Sequence, residues 1–242
     1  MTNPAMTNPA MTNLAMTAPA DNGREPKRQA VLRWIEEAGI VPVVRAPSPE
    51  LAVRAVDALL AGGVSVFEIT LTVPGAVDVI RALAERFRGR AIVGAGTVLT
   101  AEDASACIAA GAQFIVSPGF IAPTVAIARA FDLAVMPGAL TPTEVMAAVA
   151  AGADMVKIFP CSAMGGARYL KALRGPFPAV KLLPTGGVSP ATAAEYIAAG
   201  ASALGLGSEL VDINALQAGN DGLVTEKARE LVEIVRAARA AK

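Results

Sequence analysis

The chain has 242 residues, enough for one large domain or two small ones, and carries 21 basic and 21 acidic side chains but no histidine. Zero net charge without a long basic run argues against nucleic acid or an acidic membrane surface as a partner. Two cysteines, Cys107 and Cys161, make no disulfide framework, and no secretory signal is visible, so a reducing cytoplasm is expected.

Residues 1–20 run as near-repeats, MTNPA, MTNPA, MTNLA and MTAPA. Units this short, with recurrent Asn-Pro, cannot bury a core, so residues 1–26 are expected to form a disordered tail. From Pro26 the pattern alternates. Lys27 to Ala38 has apolar residues at helical spacing (Val31, Trp34, Ile35, Ala38) and ends at Gly39. Ile40 to Val44 is an apolar strand closed by Arg45, and Pro49 to Ala61 returns to helix before Gly62-Gly63. Further strands are predicted near 65–71, 91–95, 113–117, 132–136, 154–159, 180–184 and 202–206. Helices are predicted near 76–87, 101–110, 121–130, 142–151, 164–174, 190–199 and 222–240. The uncharged run Ala104 to Ala128 is long enough to span a bilayer, but Gly111, Gln113, Pro118, Gly119 and Pro123 break it into helix, strand and loop.

Counting from Ile40 gives eight strands, each followed by helix. They are continuous apolar runs, as expected where both faces are covered. The length and alternation predict a closed TIM (β/α)8 barrel, preceded by an additional N-terminal helix, in one catalytic domain over residues 27–242. An open doubly wound sheet is the competing arrangement, which periodicity does not separate from it.

In a barrel the reacting groups sit at the C-terminal ends of strands. Those ends hold Arg45, then Glu68 with Thr70 and Thr72, Gly96-Thr97, Ser117-Pro118, Pro137-Gly138, Lys157 with Phe159, Thr185-Gly186-Gly187 and Gly207-Ser208. Lys157 is the centre of this set. It lies within the apolar strand Met155-Val156-Lys157-Ile158-Phe159, and burial both penalises an ammonium and favours the neutral amine, which attacks carbonyl carbon. A lysine at a strand end can instead snorkel to water.

Strand parity places Val66, Glu68 and Thr70 on one face and Met155, Lys157 and Phe159 on another. If both faces point inward, Glu68 and Lys157 meet across the barrel mouth, as a structural ion pair or as a nucleophile with its proton carrier. With no histidine, acid–base work near neutral pH falls to a carboxylate, lysine, cysteine, tyrosine or water. Glycines at 186, 187, 205 and 207, in the loops after the last two strands, suit a phosphate. The Thr97 hydroxyl is expected at the reacting end of a substrate. Cys161, Tyr169 and Tyr196 are expected to pack.

These residues carry a resemblance. The ordered set FEITL (67–71), VGAGTV (93–98), FIVSPG (114–119), VKIFP (156–160) and PTGGV (184–188) resembles the 2-keto-3-deoxy-6-phosphogluconate (KDPG) and 4-hydroxy-2-oxoglutarate (KHG) aldolases, from about residue 30 to the C-terminal helix. The resemblance implies a class I aldolase on a TIM barrel that acts without metal or organic cofactor. It cleaves the phosphorylated 2-keto-3-deoxy sugar acid to pyruvate and glyceraldehyde 3-phosphate, and also KHG to pyruvate and glyoxylate. It implies a homotrimer, Lys157 as Schiff-base residue and Glu68 as general acid/base. Thr97, Pro118, Phe159 and Thr185 would contact the substrate, with Gly186, Gly187 and Ser208 on its phosphate. Some members carry an arginine for the substrate carboxylate where this chain has Thr72, and Arg45, in parity with Val41 and Val43, is the expected replacement. The galactonate-series epimer is an alternative substrate. A sugar-phosphate isomerase or epimerase and a non-catalytic scaffold are the competing functions.

Overall fold

The computed structural model describes residues 27–241. The expected tail, residues 1–26, lies outside them. The chain opens with helix α1 (Lys27–Ala38) and then alternates through β1 (Ile40–Val44), α2 (Pro49–Ala61), β2 (Val66–Thr70), α3 (Ala76–Arg86), β3 (Ile92–Gly96) and α4 (Ala101–Ala109). It continues through β4 (Phe114–Val116), α5 (Ala122–Ala130), β5 (Ala134–Met136), β6 (Gly138–Ala139), α6 (Pro142–Ala150) and β7 (Val156–Ile158). A 3-10 turn (Ser162–Met164), α7 (Ala167–Arg174), β8 (Leu182–Pro184), α8 (Pro190–Ala198), β9 (Leu204–Leu206), α9 (Ile213–Gln217) and α10 (Asp221–Ala240) complete it.

Local chemistry sets the helix starts. Ser48 accepts from the Leu51 N–H at 3.3 Å ahead of Pro49, and Thr100 accepts from the Asp103 N–H at 3.0 Å. Thr141 and Glu144 form a capping box that opens α6.

All strand pairs are parallel. One sheet runs β5-β4-β3-β2-β1-β9 and the other β6-β7-β8. The predicted fifth strand, 132–136, holds β5, and β6 is a further two-residue strand that was not predicted; Pro137, which has no N–H to give a ladder, separates the two. The short helix α9 was not predicted. The arrangement is a curled parallel α/β sheet with helices outside it.

Parity divides the core into two layers. Val41, Val66, Ile92, Phe114, Ala134, Met155, Leu183 and Ala203 gather on the concave face of the sheet, where Val31, Leu32 and Ile35 of α1 cover them. Phe67, Ile69, Val93, Ile115, Val135, Val156 and Leu204 point the other way and pack with the outer helices. Most of the concave residues sit at strand N-termini, so α1 plugs that end with apolar side chains and the opposite end is left for polar ones.

An ion-pair cluster fastens α1 there. Asp154, whose side chain is 6% exposed, accepts from Arg28 Nη1 at 2.6 Å and from the Val135 N–H at 3.0 Å, with Arg129 Nη1 at 3.4 Å. Arg28 also bonds Asp132, Trp34 Nε1 donates to Ser65 Oγ, and Lys181 pairs with Glu36. Burial raises the Asp154 carboxyl above its ordinary pKa, against the pull of the Val135 N–H and of Arg28. Its loss would strand the buried Val135 N–H and take one of two carboxylates from the mostly buried Arg28 guanidinium. Asp154→Ala is therefore expected to lower unfolding free energy by about 3 kcal/mol in urea titration. A change below about 1 kcal/mol would show that the cluster does not hold α1.

Candidate active site

At the C-terminal ends of the strands lies a cavity of about 240 Å³. Arg45, Thr97, Pro118, Lys157 and Phe159 line it, together with Thr185, Gly186, Gly187 and Ser208. Every substrate-contact position expected from the sequence is thus brought to one place. Gly207, read with the phosphate glycines, is on the same wall, and sequence reasoning missed Val43, Val188 and Glu209 there. For Glu209 the signal was available: it directly follows Ser208 in the loop after the last strand.

Lys157 is the central residue of β7 and Glu68 the central residue of β2. These strands are not neighbours, so the side chains meet across the concave face rather than along a ladder. Lys157 Nζ stands 3.5 Å from Glu68 Oε1, with the two side chains only 8% and 1% exposed. That separation is at the loose end of a hydrogen bond and is typical of a catalytic pair before substrate tightens it. Lys157 Nζ also lies 5.6 Å from the centroid of the Phe159 ring.

Room for the carboxylate comes from β3. A Cβ on Gly96 would fall 2.6 Å from Glu68 Oε1, so a side chain there would displace the carboxylate from its place beside Lys157. Thr97, next in the chain, has φ 58°, in the left-handed region that a β-branched residue rarely adopts. Such strain persists only where the surroundings fix it, and it is characteristic of ligand sites.

Arg45 directly follows β1 and is exposed, and its guanidinium has no hydrogen-bond or ion-pair partner among the described residues. Thr72 is elsewhere. Its hydroxyl bonds Thr70 Oγ1 at 2.7 Å, Thr70 bonds the Val44 carbonyl at 3.1 Å, and Thr72 lines a separate neighbouring cavity with Thr97, Leu99 and Asp103. At the far wall Gly186 and Gly187 have φ of +87° and +73°. Consecutive positive φ turns the chain so that neighbouring N–H groups face one concavity, and only glycine adopts it without strain. The N–H groups of Gly187 and Ser208 have no acceptor among the described residues.

The residues read as packing groups do pack. Cys161 is fully buried, and burial pushes its thiol up to about 11, which removes it as a nucleophile near neutral pH. Tyr196 is 2% exposed, and the Tyr169 hydroxyl donates to the Leu140 carbonyl. Among the described residues no group of three His, Cys, Asp or Glu side chains could hold a metal ion, and no helix is long and apolar enough to cross a membrane.

The arrangement, a buried amine beside a carboxylate at the closed end of a cavity and free N–H groups at the other, suits covalent chemistry on a carbonyl compound with an anionic tail. Comparison with known proteins agrees. The family model for KDPG and KHG aldolases matches residues 31–226. The KHG/KDPG aldolase of Escherichia coli K12 is 43% identical over 194 residues, which cover 80% of this chain and 91% of that protein. The 2-dehydro-3-deoxy-6-phosphogalactonate aldolase of the same organism is 35% identical over 74% of this chain and 87% of its own length. Among solved structures, the KDPG aldolase of Legionella pneumophila, with pyruvate captured as a covalent carbinolamine, superimposes with TM-score 0.77 and 32% identity over 86% of this chain and 98% of that one. The chain belongs to the KDPG and KHG aldolase family and is a carbon–carbon lyase.

Proposed function

We propose that the protein is a class I aldolase that cleaves KDPG to pyruvate and glyceraldehyde 3-phosphate, with KHG as a second substrate. The observation that carries this reading is the Lys157–Glu68 pair, 3.5 Å apart and buried, with Lys157 on the cavity wall and Glu68 behind it. Lys157, as the free amine, attacks the C2 ketone to give a carbinolamine, the kind of species captured in the Legionella relative. Loss of water yields an iminium, which draws electrons from the C3–C4 bond. Glu68, directly or through water, takes the C4 hydroxyl proton as that bond breaks and the aldehyde leaves. The enamine is reprotonated at C3, and water returns to C2 to release pyruvate and regenerate the amine.

Around this centre, Arg45 is the free cation for the substrate carboxylate, taking the part that Thr72 cannot. Thr97 and Thr185 hold the pyruvyl end, while Pro118 and Phe159 wall it. Gly186, Gly187 and Ser208 cradle the phosphate with N–H and hydroxyl groups. The 35% identity to the galactonate-series aldolase keeps the C4 epimer as a second reading of the same mechanism.

We also read the two sheets as one closed (β/α)8 barrel over a single catalytic domain, within a cytoplasmic homotrimer. Closure is supported by the single residue between β5 and β6 and by a parallel bridge from Thr185 to Gly205 that joins β8 to β9.

Borohydride reduction in the presence of pyruvate should add one reduced pyruvyl group to the wild type, mapped by peptide mass to Lys157. An unmodified protein, or an adduct on another lysine, would remove the Schiff-base assignment.

Glu68→Gln is expected to reduce kcat by about 10²- to 10⁴-fold while trapping at Lys157 persists. Gly96→Ala should act on the same carboxylate from a distance, because its clash is with the far end of a side chain that can swing away. Near-native melting with kcat reduced roughly tenfold to a hundredfold is the expected result. Unaltered kcat in Gly96→Ala would mean that the carboxylate need not sit where it does.

Arg45→Ala should weaken the apparent affinity for pyruvate by roughly tenfold to a hundredfold, the contribution of a charge-assisted bidentate contact. An unchanged affinity would return the carboxylate clamp to some other group.

A further inference from the structure

The phosphate cradle contains a group of the wrong sign for a phosphate. Glu209 lines the same cavity as Gly186, Gly187 and Ser208, is exposed, and has no hydrogen-bond or ion-pair partner among the described residues. The cations on the cavity wall are Arg45 and Lys157. Lys157 faces Glu68 at the closed end, and Arg45 is assigned to the substrate carboxylate. The distal end therefore offers a phosphate neutral N–H and O–H donors and one carboxylate. A phosphate ester carries a charge of about −1.5 to −2 at pH 7 and is usually met by arginine or lysine. A like charge at this wall repels it through a medium only partly screened by solvent.

We propose that Glu209 is a specificity-determining residue that lowers the enzyme's preference for phosphorylated over unphosphorylated 4-hydroxy-2-oxo acids. It is a repulsive element, which discriminates by what it disfavours. A KHG-type substrate ends one carbon beyond the reacting C4 and places a single negative charge there, well short of the cradle. KDPG carries its dianion beyond C6, against Glu209. The carboxylate thus penalises the longer substrate selectively and brings the two closer in efficiency. This rests on the reading that Gly186, Gly187 and Ser208 hold the phosphate.

The test is the ratio of kcat/KM for KDPG to kcat/KM for KHG, measured on the full chain at low and at roughly 0.5 M salt. Glu209→Gln should raise that ratio about fivefold at low salt and by much less at high salt, where the repulsion is screened. Glu209→Asp, which keeps the charge, should leave the ratio within about twofold of wild type. Ser208→Ala reports on the cradle itself and should lower the ratio. If Ser208→Ala lowers it but Glu209→Gln leaves it level or lowers it, the role given to Glu209 is wrong and the cradle stands. If neither substitution moves it, the phosphate is bound elsewhere and the inference falls with that reading.

Discussion

Everything at the open end of the sheet depends on holding an amine and a carboxylate together almost out of reach of water. Taking both groups out of solvent costs several kcal/mol, and a contact at 3.5 Å between Lys157 and Glu68 does not offset that well. Two apolar residues of similar volume would stabilise the fold at least as much, so stability is a poor account of the pair. A nucleophile and its proton carrier, by contrast, must be close, unhydrated and not locked into a tight salt bridge. The loose contact meets all three conditions. It also explains two features of the surrounding strands: Gly96 leaves the carboxylate its space, and Met155 and Val66 continue the same faces into the apolar layer under α1.

That pair was legible because strands carry a strict two-residue alternation. Val66-Glu68-Thr70 and Met155-Lys157 each had to share a face, and the structure places Val66 and Met155 in one concave cluster. The turn at Gly186-Gly187 was legible for a similar reason, since its torsions follow from local chain geometry. What escaped the sequence depends on long separations. Asp154 meets Arg28 across 126 positions, and no local pattern distinguishes it from a solvated surface acid. The break at Pro137 was hidden because a two-residue strand leaves no periodicity to read. Glu209 was overlooked because a charged residue in a loop ordinarily faces water, and only the closing of the cavity wall gives it a neighbour to repel.

Thr72 and Arg45 show the same limit from the other side. Matching motifs position by position leaves Thr72 where some relatives place an arginine, and suggests a lost contact. In three dimensions Thr72 is tied through Thr70 to the Val44 carbonyl, the last residue of β1, and its hydroxyl faces a separate cavity. The same backbone segment then ends in Arg45, which is free and lines the cavity of Lys157. The two-threonine link therefore fastens β2 to the strand end that presents the guanidinium. A cation for an acid substrate can be supplied from a different strand, provided that the receiving cavity is the same.

The cavity also has a direction. At its closed end charge is concentrated and nearly dry, where electrostatic effects are large and can be aimed at C2 and C4 of a substrate. At its mouth the Glu209 carboxylate is exposed, so it acts through a screened medium and is worth far less. In the proposed mechanism bond breaking is therefore governed by Lys157 and Glu68, which tolerate little displacement. The tail of the substrate is governed by groups whose individual effects are modest and adjustable. A residue such as Glu209 can then alter which acids are handled efficiently without touching the imine chemistry, because the two sets lie at opposite ends of the same cavity and share no hydrogen bond. Specificity in this architecture can change at the rim while the buried pair stays fixed.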